Sequence, residues 1–251
     1  MTRYKRALPV GVLFILAAAF LVLAPATATD VARVAQVLDG DSVRLADGRE
    51  IRLIGINAPE FGKSGMPDEP LAREARAALT HLVGGKAIQL EYNAERNDRY
   101  GRALAHVSLA DGTRVQTLLL RQGMAFHIAQ PPNLMHLDEY RAAEADARRA
   151  RLGVWNHSYY KPREAERLGT RESGFRFVEG RIQRIGRGPN TIYLDLTPHF
   201  TLSIPQQDWH FFDGDPQRFL HHRVIARGWV TLHDNRSRMR LPHPAMLEVI
   251  D

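Results

Sequence analysis

The sequence predicts a mainly β protein with added helices (α+β class), in which a five-stranded Greek-key barrel with packed helices precedes a second small β-barrel. Three observations predict this architecture. Short runs of alternating apolar residues recur along both halves of the chain. Turn pairs such as Asp-Gly and Gly-Gly separate these runs. Apolar residues at helical spacing occur in the first half, after the third run and again near its end.

The start of the chain has the layout of an export signal. Three basic residues precede an uncharged apolar run over residues 8–23, and small residues follow at 26–28, at a spacing that a signal peptidase accepts. We therefore predict a signal peptide over residues 1–28 and an exported protein, periplasmic or secreted. The alternative is an uncleaved N-terminal membrane anchor, because the run is long for a signal and slightly short for a spanning helix.

Charge and cysteine content constrain the function only weakly. Removing the three basic residues of the signal lowers the net charge from +6 to +3, which permits nucleic-acid binding without arguing for it. The chain has no cysteine, so an exported form must be stabilised by its cores alone.

The first block, residues 29–158, contains five predicted strands and three predicted helices. The strands are predicted at 31–38, 42–45, 50–56, 87–92 and 103–109, and the helices at 72–83, 113–122 and 137–151. Turns before the second and third strands make the first three strands a meander, and glycines end the helices. Five strands with one helix after the third are the parts of a barrel of the oligonucleotide-binding (OB) type.

The second block, residues 175–251, follows a polar stretch without periodicity that we predict to be a linker over 159–174. Its strands are predicted at 177–184, 191–196, 200–204, 224–232 and 245–249, which suggests a second OB-like β domain. Basic and aromatic residues on these strands, as at 227–230, could follow a single nucleic-acid strand by stacking and charge. The alternative is that aromatic residues such as Trp229 are packing residues. The histidine spacings in this block do not match a compact zinc site.

Four polar features of the first block are ordinary when taken singly. The Asp39–Asp41 triplet is typical of a turn. Arg52 is typical of a solvated side chain at the edge of a strand, and Glu60 of an exposed turn. Arg102 could simply stack on the ring of Tyr100. Their order, however, places them on one rim of the predicted barrel. Two arginines and a glutamate converging on one point are the parts that a phosphodiesterase needs, a phosphate clamp and a base.

Further segments extend this pattern in a fixed order. They are Val37–Val43, Arg52–Glu60, Asp98–Arg102, Arg121–Ala125, Ala143–Ala145 and Leu152–Trp155. Through these segments the chain resembles the staphylococcal nuclease (thermonuclease) family, from about Val31 to Trp155. The resemblance implies an OB-type nuclease domain that hydrolyses DNA or RNA with little sequence preference, depends on Ca²⁺, and has nucleic acid as its partner. No stable protein partner is implied.

The resemblance also implies roles in catalysis and substrate binding. Arg52 and Arg102 match the two arginines that hold the scissile phosphate, and Glu60 matches the general base. Arg99 and Tyr100 match residues that contact a neighbouring phosphate of the bound strand. Guanidinium groups suit the first role because they offset the charge that builds on the phosphate oxygens as water adds.

The implied metal positions contain one departure from the family pattern. Asp41 matches a carboxylate ligand and Ala58 a position that reaches the metal through its backbone carbonyl, but Asn57 stands where the family has an aspartate. Because Ca²⁺ affinity follows the number of carboxylates, we expect a weakened site. The alternative function is therefore a catalytically weak or inactive nucleic-acid-binding module, although retention of Arg52 and Glu60 favours an enzyme.

Overall fold

The computed structural model describes residues 30–62, 65–169, 172–233 and 236–251. The predicted signal peptide, residues 1–28, lies outside the described residues, so its prediction stays untested. Within the described ranges, no helix combines the length and the apolar character needed to cross a membrane.

The first block forms the predicted barrel. Its described strands are β1 (Asp30–Val37), β2 (Ser42–Leu45), β3 (Glu50–Leu53), β4 (Ile56–Asn57), β5 (Ala87–Asn97), β6 (Ala103–Ser108) and β7 (Phe126–His127). Its α-helices are α1 (Ala72–Val83), α2 (Val115–Arg121) and α3 (Leu137–Arg149). Strands β1, β2, β3, β6 and β5 close the barrel in that order, and β4 pairs with β7. The predicted five-stranded barrel with packed helices is confirmed.

Strand β3 shows how the barrel separates its core from its site. Ile51 and Leu53 point inward and are fully buried, as the two-residue period of a strand requires. Arg52, between them, faces the other side. On α1, Leu79 and Val83 are four residues apart and join the same core. Burying each such side chain contributes roughly 1.5–3 kcal/mol, so the strand that carries Arg52 is held firmly.

Gly55 divides the strand that the sequence predicts over residues 50–56. Its φ of 82° lies in the left-handed region, which favours glycine. A Cβ at this position would also collide with the ring of Tyr140 on α3. The chain therefore turns at Gly55, and Asn57 is presented from the short strand β4 instead of continuing along β3.

The second block is β-rich, as predicted, but its described strands form a sheet and do not close into a barrel as those of the first block do. Its described strands are β8 (Arg163–Glu164), β9 (Gly174–Arg181), β10 (Arg184–Arg187), β11 (Thr191–Thr197), β12 (Phe200–Pro205), β13 (Arg223–His233), β14 (Arg236–Arg240) and β15 (Leu247–Val249). They form one eight-stranded sheet in the order β10, β11, β12, β14, β13, β9 and β8, with β15 also pairing with β13. Strand β8 lies within the predicted linker and pairs with β9, so part of that segment belongs to the sheet.

The two blocks share a hydrophobic core. Phe126 of β7 is 1% exposed and packs on Phe175 and Phe177 of β9, with ring centroids 5.5 and 5.1 Å apart. Ile128 and Val154 belong to the same cluster as the interior of the second sheet. The second block therefore packs directly against the end of the first block that carries β4 and β7.

Candidate active site

Asp41 lies at the centre of the predicted site and is 3% exposed. Its Oδ2 accepts a hydrogen bond from the backbone N–H of Ala58 at 2.7 Å and lies 2.9 Å from a guanidinium nitrogen of Arg52. The hydroxyl of Ser42 donates to Oδ1 at 3.1 Å. The aspartate thus links the turn after β1 to strand β3 and to the residues that follow β4.

Glycine at position 40 makes this turn possible. A Cβ there would lie 2.6 Å from the Cβ of Ala58 and 2.7 Å from that of Ala75 on α1. The turn before β2 is therefore pressed against both α1 and the segment after β4, which brings Asp41 within reach of Ala58.

The charge of Asp41 is only partly compensated. Burial raises its pKa to about 7, although the neighbouring Arg52 lowers it, and the carboxylates of Asp39 and Glu60 raise it further. A cation placed beside this carboxylate would favour its ionised form. The electrostatics of the site therefore suit a positively charged ligand.

Arg52 is held in a fixed orientation. It pairs with Ser42 across the β2–β3 ladder, and its side chain is 12% exposed. Besides contacting Asp41, its guanidinium donates to the carbonyl of Leu53 at 2.9 Å and to Oδ1 of Asn57 at 3.4 Å. Two other predicted site residues, Asp41 and Asn57, therefore meet at the guanidinium of Arg52.

Arg102 approaches the same corner from the turn between β5 and β6. Its Nε donates to Oδ2 of Asp98 at 2.7 Å, and its Nη1 lies 3.5 Å from the hydroxyl of Ser42. The backbone N–H groups of Tyr100 and Arg102 both donate to Oδ1 of Asp98, at 2.9 and 3.0 Å. Asp98 therefore fixes both the turn and the direction of the second arginine.

Glu60 follows β4 and is held through its backbone. Its N–H donates to Oε2 of Glu69 at 3.0 Å, and the N–H of Glu69 donates back to the carbonyl of Glu60 at 2.9 Å. Arg176 of β9 lies 3.6 Å from the same Glu69 carboxylate. Arg176 of the second block therefore contacts Glu69, which holds the backbone of the predicted base Glu60.

Arg99 and Tyr100 lie at the exposed tip of the β5–β6 turn. Tyr100 is 69% exposed, and the Cζ atoms of Arg99 and Arg102 lie 4.8 and 5.8 Å from its ring centroid. Arg99 also donates to the tyrosine hydroxyl at 2.7 Å. An exposed ring beside two guanidinium groups suits contact with a passing nucleic-acid strand.

Asp41 and Asn57 could together hold a hard divalent cation through one carboxylate and one amide oxygen. Among the residues that the structure describes, no group of three or more His, Cys, Asp or Glu side chains is arranged to bind a metal. The undercompensated charge of Asp41 fits a cation, while the small number of carboxylates predicts low affinity.

A buried ionic network behind the site was not predicted. Glu144 on α3 is 2% exposed and accepts hydrogen bonds from Arg227 of β13 and from both the N–H and the Nδ1 of His127 on β7. The guanidinium also lies 5.1 Å from the ring centroid of Phe177. Arg227, which the sequence suggested as part of a substrate-tracking strand, is 8% exposed and belongs to this network instead.

The network supports the strand pair that carries Asn57. In the β4–β7 ladder, Ile56 pairs with His127 and Asn57 pairs with Phe126. No local sequence pattern predicts the contact between Arg227 and Glu144, because the two residues are 83 positions apart in the chain. The ion pair between Asp98 and Arg102, by contrast, joins residues only four positions apart, so local sequence could have indicated it.

Comparison with known proteins gives matches to the first block. The family model described as staphylococcal nuclease homologue matches residues 50–157. The thermonuclease of Staphylococcus intermedius is 33% identical over 129 residues, covering 49% of this chain and 74% of that protein. Endonuclease YncB of Bacillus subtilis is 32% identical over 130 residues, 50% of this chain and 61% of its own length. This chain therefore matches less than two thirds of the Bacillus relative.

Proposed function

Because this chain belongs to the staphylococcal nuclease family, we propose that it is an exported, Ca²⁺-dependent nuclease that hydrolyses phosphodiester bonds of DNA or RNA with little sequence preference. The observation that carries this proposal is the convergence of two arginines. Arg52 from β3 and Arg102 from the β5–β6 turn both reach the corner formed by Asp41 and Ser42. A protein that only binds nucleic acid has no need of a candidate base, Glu60, together with two guanidinium groups directed at one point.

In the proposed reaction these two arginines bind the non-bridging oxygens of the scissile phosphate. Charge builds on those oxygens as water adds to phosphorus, and fixed guanidinium donors stabilise that charge without having to reorient. The contacts of Arg52 with Asp41 and of Arg102 with Asp98 hold the donors in place before substrate arrives. Loss of one such donor lowers the rate on the order of 10²- to 10³-fold.

Glu60 would accept the proton of the attacking water. Its backbone is fixed by Glu69, which limits the positions that its carboxylate can take. Its charge also acts on Asp41, so the two carboxylates share one electrostatic environment. General-base catalysis of this kind contributes typically 10²- to 10⁴-fold.

Asp41 and Asn57, with the backbone carbonyl of Ala58, would hold the Ca²⁺ ion. When bound, the ion supplies positive charge next to the phosphate oxygens. Arg99 and Tyr100 at the exposed turn would contact the phosphate beside the scissile one, which orients the strand across the rim.

A catalytically weak nucleic-acid-binding module is the second candidate. The observation that favours it is the environment of Asn57, whose side-chain oxygen is neutral and accepts a hydrogen bond from Arg52 at 3.4 Å. If that contact persists, the oxygen is less free to bind a cation. The chain would then keep its affinity for nucleic acid and lose turnover.

Digestion of labelled single-stranded DNA, with a Ca²⁺ series and with a chelator, distinguishes the two candidates. We expect cleavage that requires Ca²⁺ and falls at least on the order of 10²-fold in Glu60→Gln. Glu74→Gln, an exposed glutamate on α1, is the matched control and should cleave like the unmodified protein. Absence of cleavage at every Ca²⁺ concentration would reject the enzyme and leave the binding module.

Export is supported by the pattern of residues 1–28. N-terminal sequencing of protein recovered outside the cytoplasm should begin at residue 29. Recovery of the intact chain from the membrane fraction would instead identify the uncleaved anchor.

A further inference from the structure

The outer face of the second sheet carries a basic groove. Along β11, Leu194 is fully buried on the core side, so its neighbours Tyr193 and Asp195 face outward. The groove has a volume of about 210 Å³. We call it the sheet groove; the residues that line it include Arg184, Gly186, Tyr193, Asp195, Arg236 and Arg238.

Asp195 organises the charge of the sheet groove. It is 5% exposed, lies 2.6 Å from Nη2 of Arg184 and accepts a hydrogen bond from the hydroxyl of Thr201 at 2.5 Å. A nitrogen of Arg236 lies 3.9 Å from its other oxygen. One carboxylate at the base of the groove therefore orients the guanidinium of Arg184 by short contacts and lies near that of Arg236. With Arg238, the groove has three arginines against one aspartate, so it is net positive.

The groove also contains a partly exposed aromatic side chain, Tyr193. The Cζ of Arg238 lies 5.5 Å from the ring centroid of Tyr193. Gly186 pairs with Tyr193 across the β10–β11 ladder and leaves the space beside that ring open. A Cβ at Gly186 would make only ordinary contact with Tyr193, at 3.6 Å, so the position tolerates a side chain.

We propose that the sheet groove binds the backbone of single-stranded nucleic acid, with phosphates on the arginines and a base against Tyr193. A guanidinium group pre-oriented by a buried carboxylate, with two further arginines beside it, matches the oxygens of a phosphodiester. A partly exposed ring beside basic side chains provides a stacking surface that any base can use. The choice of substrate class rests on the proposed function, but this site lies on the second block and none of the catalytic residues belongs to it.

Fluorescence anisotropy with a labelled single-stranded DNA oligonucleotide tests this site on the full chain. Titrations in chelator prevent cleavage, and a series of KCl concentrations gives the slope of log K against log salt. We expect Arg184→Ala/Arg238→Ala to weaken binding on the order of tenfold or more near physiological salt, and to reduce the slope by about 1.4, since each lost phosphate contact contributes about 0.7 for single strands.

Two further variants separate charge from shape. Arg149→Ala/Arg181→Ala also removes two exposed arginines, each paired with a carboxylate outside the groove, and should leave the affinity and the slope unchanged. Gly186→Leu keeps every charge but fills the space beside Tyr193. It should weaken binding with an unchanged salt slope, and because it leaves Asp195 and its partners intact it remains informative if the double variant is unstable.

Three results would overturn the proposal. They are unchanged affinity in both groove variants, an equal loss in the Arg149/Arg181 control, and displacement of the oligonucleotide by an aspartate peptide of the same charge as readily as by unlabelled DNA. The proposed function fails separately, if the unmodified protein does not cleave at any Ca²⁺ concentration. Binding that depends on the groove, without cleavage, would sustain this site and reject the nuclease.

Discussion

Arg227 on β13 donates hydrogen bonds to both carboxylate oxygens of Glu144 on α3, at 2.8 and 2.7 Å, and so joins the two blocks of the chain by a buried ion pair. The pair lowers the pKa of Glu144 to about 2, despite the opposing effect of burial, and Arg227 together with His127 accounts for the decrease. Glu144 is therefore ionised at neutral pH and depends on the second block for its counter-charge.

Replacing Arg227 by methionine should destabilise the protein on the order of 3–5 kcal/mol, because it leaves the charge of Glu144 buried without its partner. Urea denaturation followed by circular dichroism measures the change. Arg223→Met, on the same strand, removes the ion pairs of a half-buried surface arginine; it is the control and should have a much smaller effect. Adding Glu144→Leu to Arg227→Met should restore much of the stability. A loss no larger than that of the control would show that the ion pair does not stabilise the fold.

Replacing Asn57 by aspartate should strengthen Ca²⁺ binding on the order of tenfold, since it adds a carboxylate beside that of Asp41. Isothermal titration of Ca²⁺ gives the affinity directly. Asn190→Asp adds the same charge in the exposed turn between β10 and β11 and serves as the control. Equal affinities in the unmodified protein and Asn57→Asp would remove Asn57 from the metal site.

Replacing Asp98 by asparagine should lower kcat through Arg102, although Asp98 is not expected to touch substrate. Its Oδ2 holds Nε of Arg102 at 2.7 Å, and without that charge the guanidinium samples other directions. We expect a decrease on the order of tenfold, smaller than the 10²- to 10³-fold loss in Arg102→Ala. Steady-state kinetics on a short oligonucleotide provide kcat and KM separately.

The combination of the two changes tests this link. If Asp98 acts by positioning Arg102, then Asp98→Asn should cost nothing further in an Arg102→Ala background. Arg44→Ala, which removes an exposed ion pair with Glu50 on the same barrel, should leave kcat unchanged. Additive losses would mean that Asp98 acts independently of Arg102.

The buried His106 should make the fold less stable in mild acid. Burial lowers its pKa to about 3, with His136 and Arg114 adding to the effect, and its Nδ1 lies 2.6 Å from the hydroxyl of Tyr140. Below its ordinary pKa of about 6.5 the unfolded chain binds a proton that the folded chain does not. The free energy of unfolding is therefore not reduced by His106 above about pH 6.5, and it decreases progressively as the pH falls from 6.5 toward 3.

Urea denaturation at pH 7, 6, 5 and 4 measures the slope of the free energy of unfolding against pH. One proton of difference corresponds to about 1.4 kcal/mol per pH unit, and His106→Asn should reduce the slope by up to this amount. His81→Asn, on the exposed side of α1, should not change it. If the free energy of unfolding changes equally with pH in the unmodified protein and in His106→Asn, then His106 is not the source of the acid sensitivity.

Local pattern was sufficient to predict the barrel and its rim. Strand β2 and helix α1 have the predicted bounds, because their apolar periods are short and their turn residues unambiguous. The corner where Arg52 and Asp41 meet also follows from local order, since β2 and β3 are joined by a tight turn. No local pattern marks Gly55 as the end of a strand, because the ring of Tyr140 that requires a glycine there lies far along the chain.

The second block was harder to predict because its important contacts are non-local. Strand β14 has arginine at every second position, so its pattern looks solvated, yet Ser237 and Met239 between them are buried. The opposite error occurred at Arg227, whose basic and aromatic surroundings suggest a binding surface. Its partners on α3 and β7 are 83 and 100 residues away, beyond the reach of any sequence window.

Phe126 sits between the cores of the two blocks, and this has a consequence for how the protein denatures. Its ring is covered by Phe175 and Phe177 from the second sheet, while its backbone pairs with Asn57 of the first block. Neither block can lose its structure without uncovering apolar surface of the other. We therefore expect heating to produce a single cooperative transition, with catalytic activity and the second sheet lost together at one temperature.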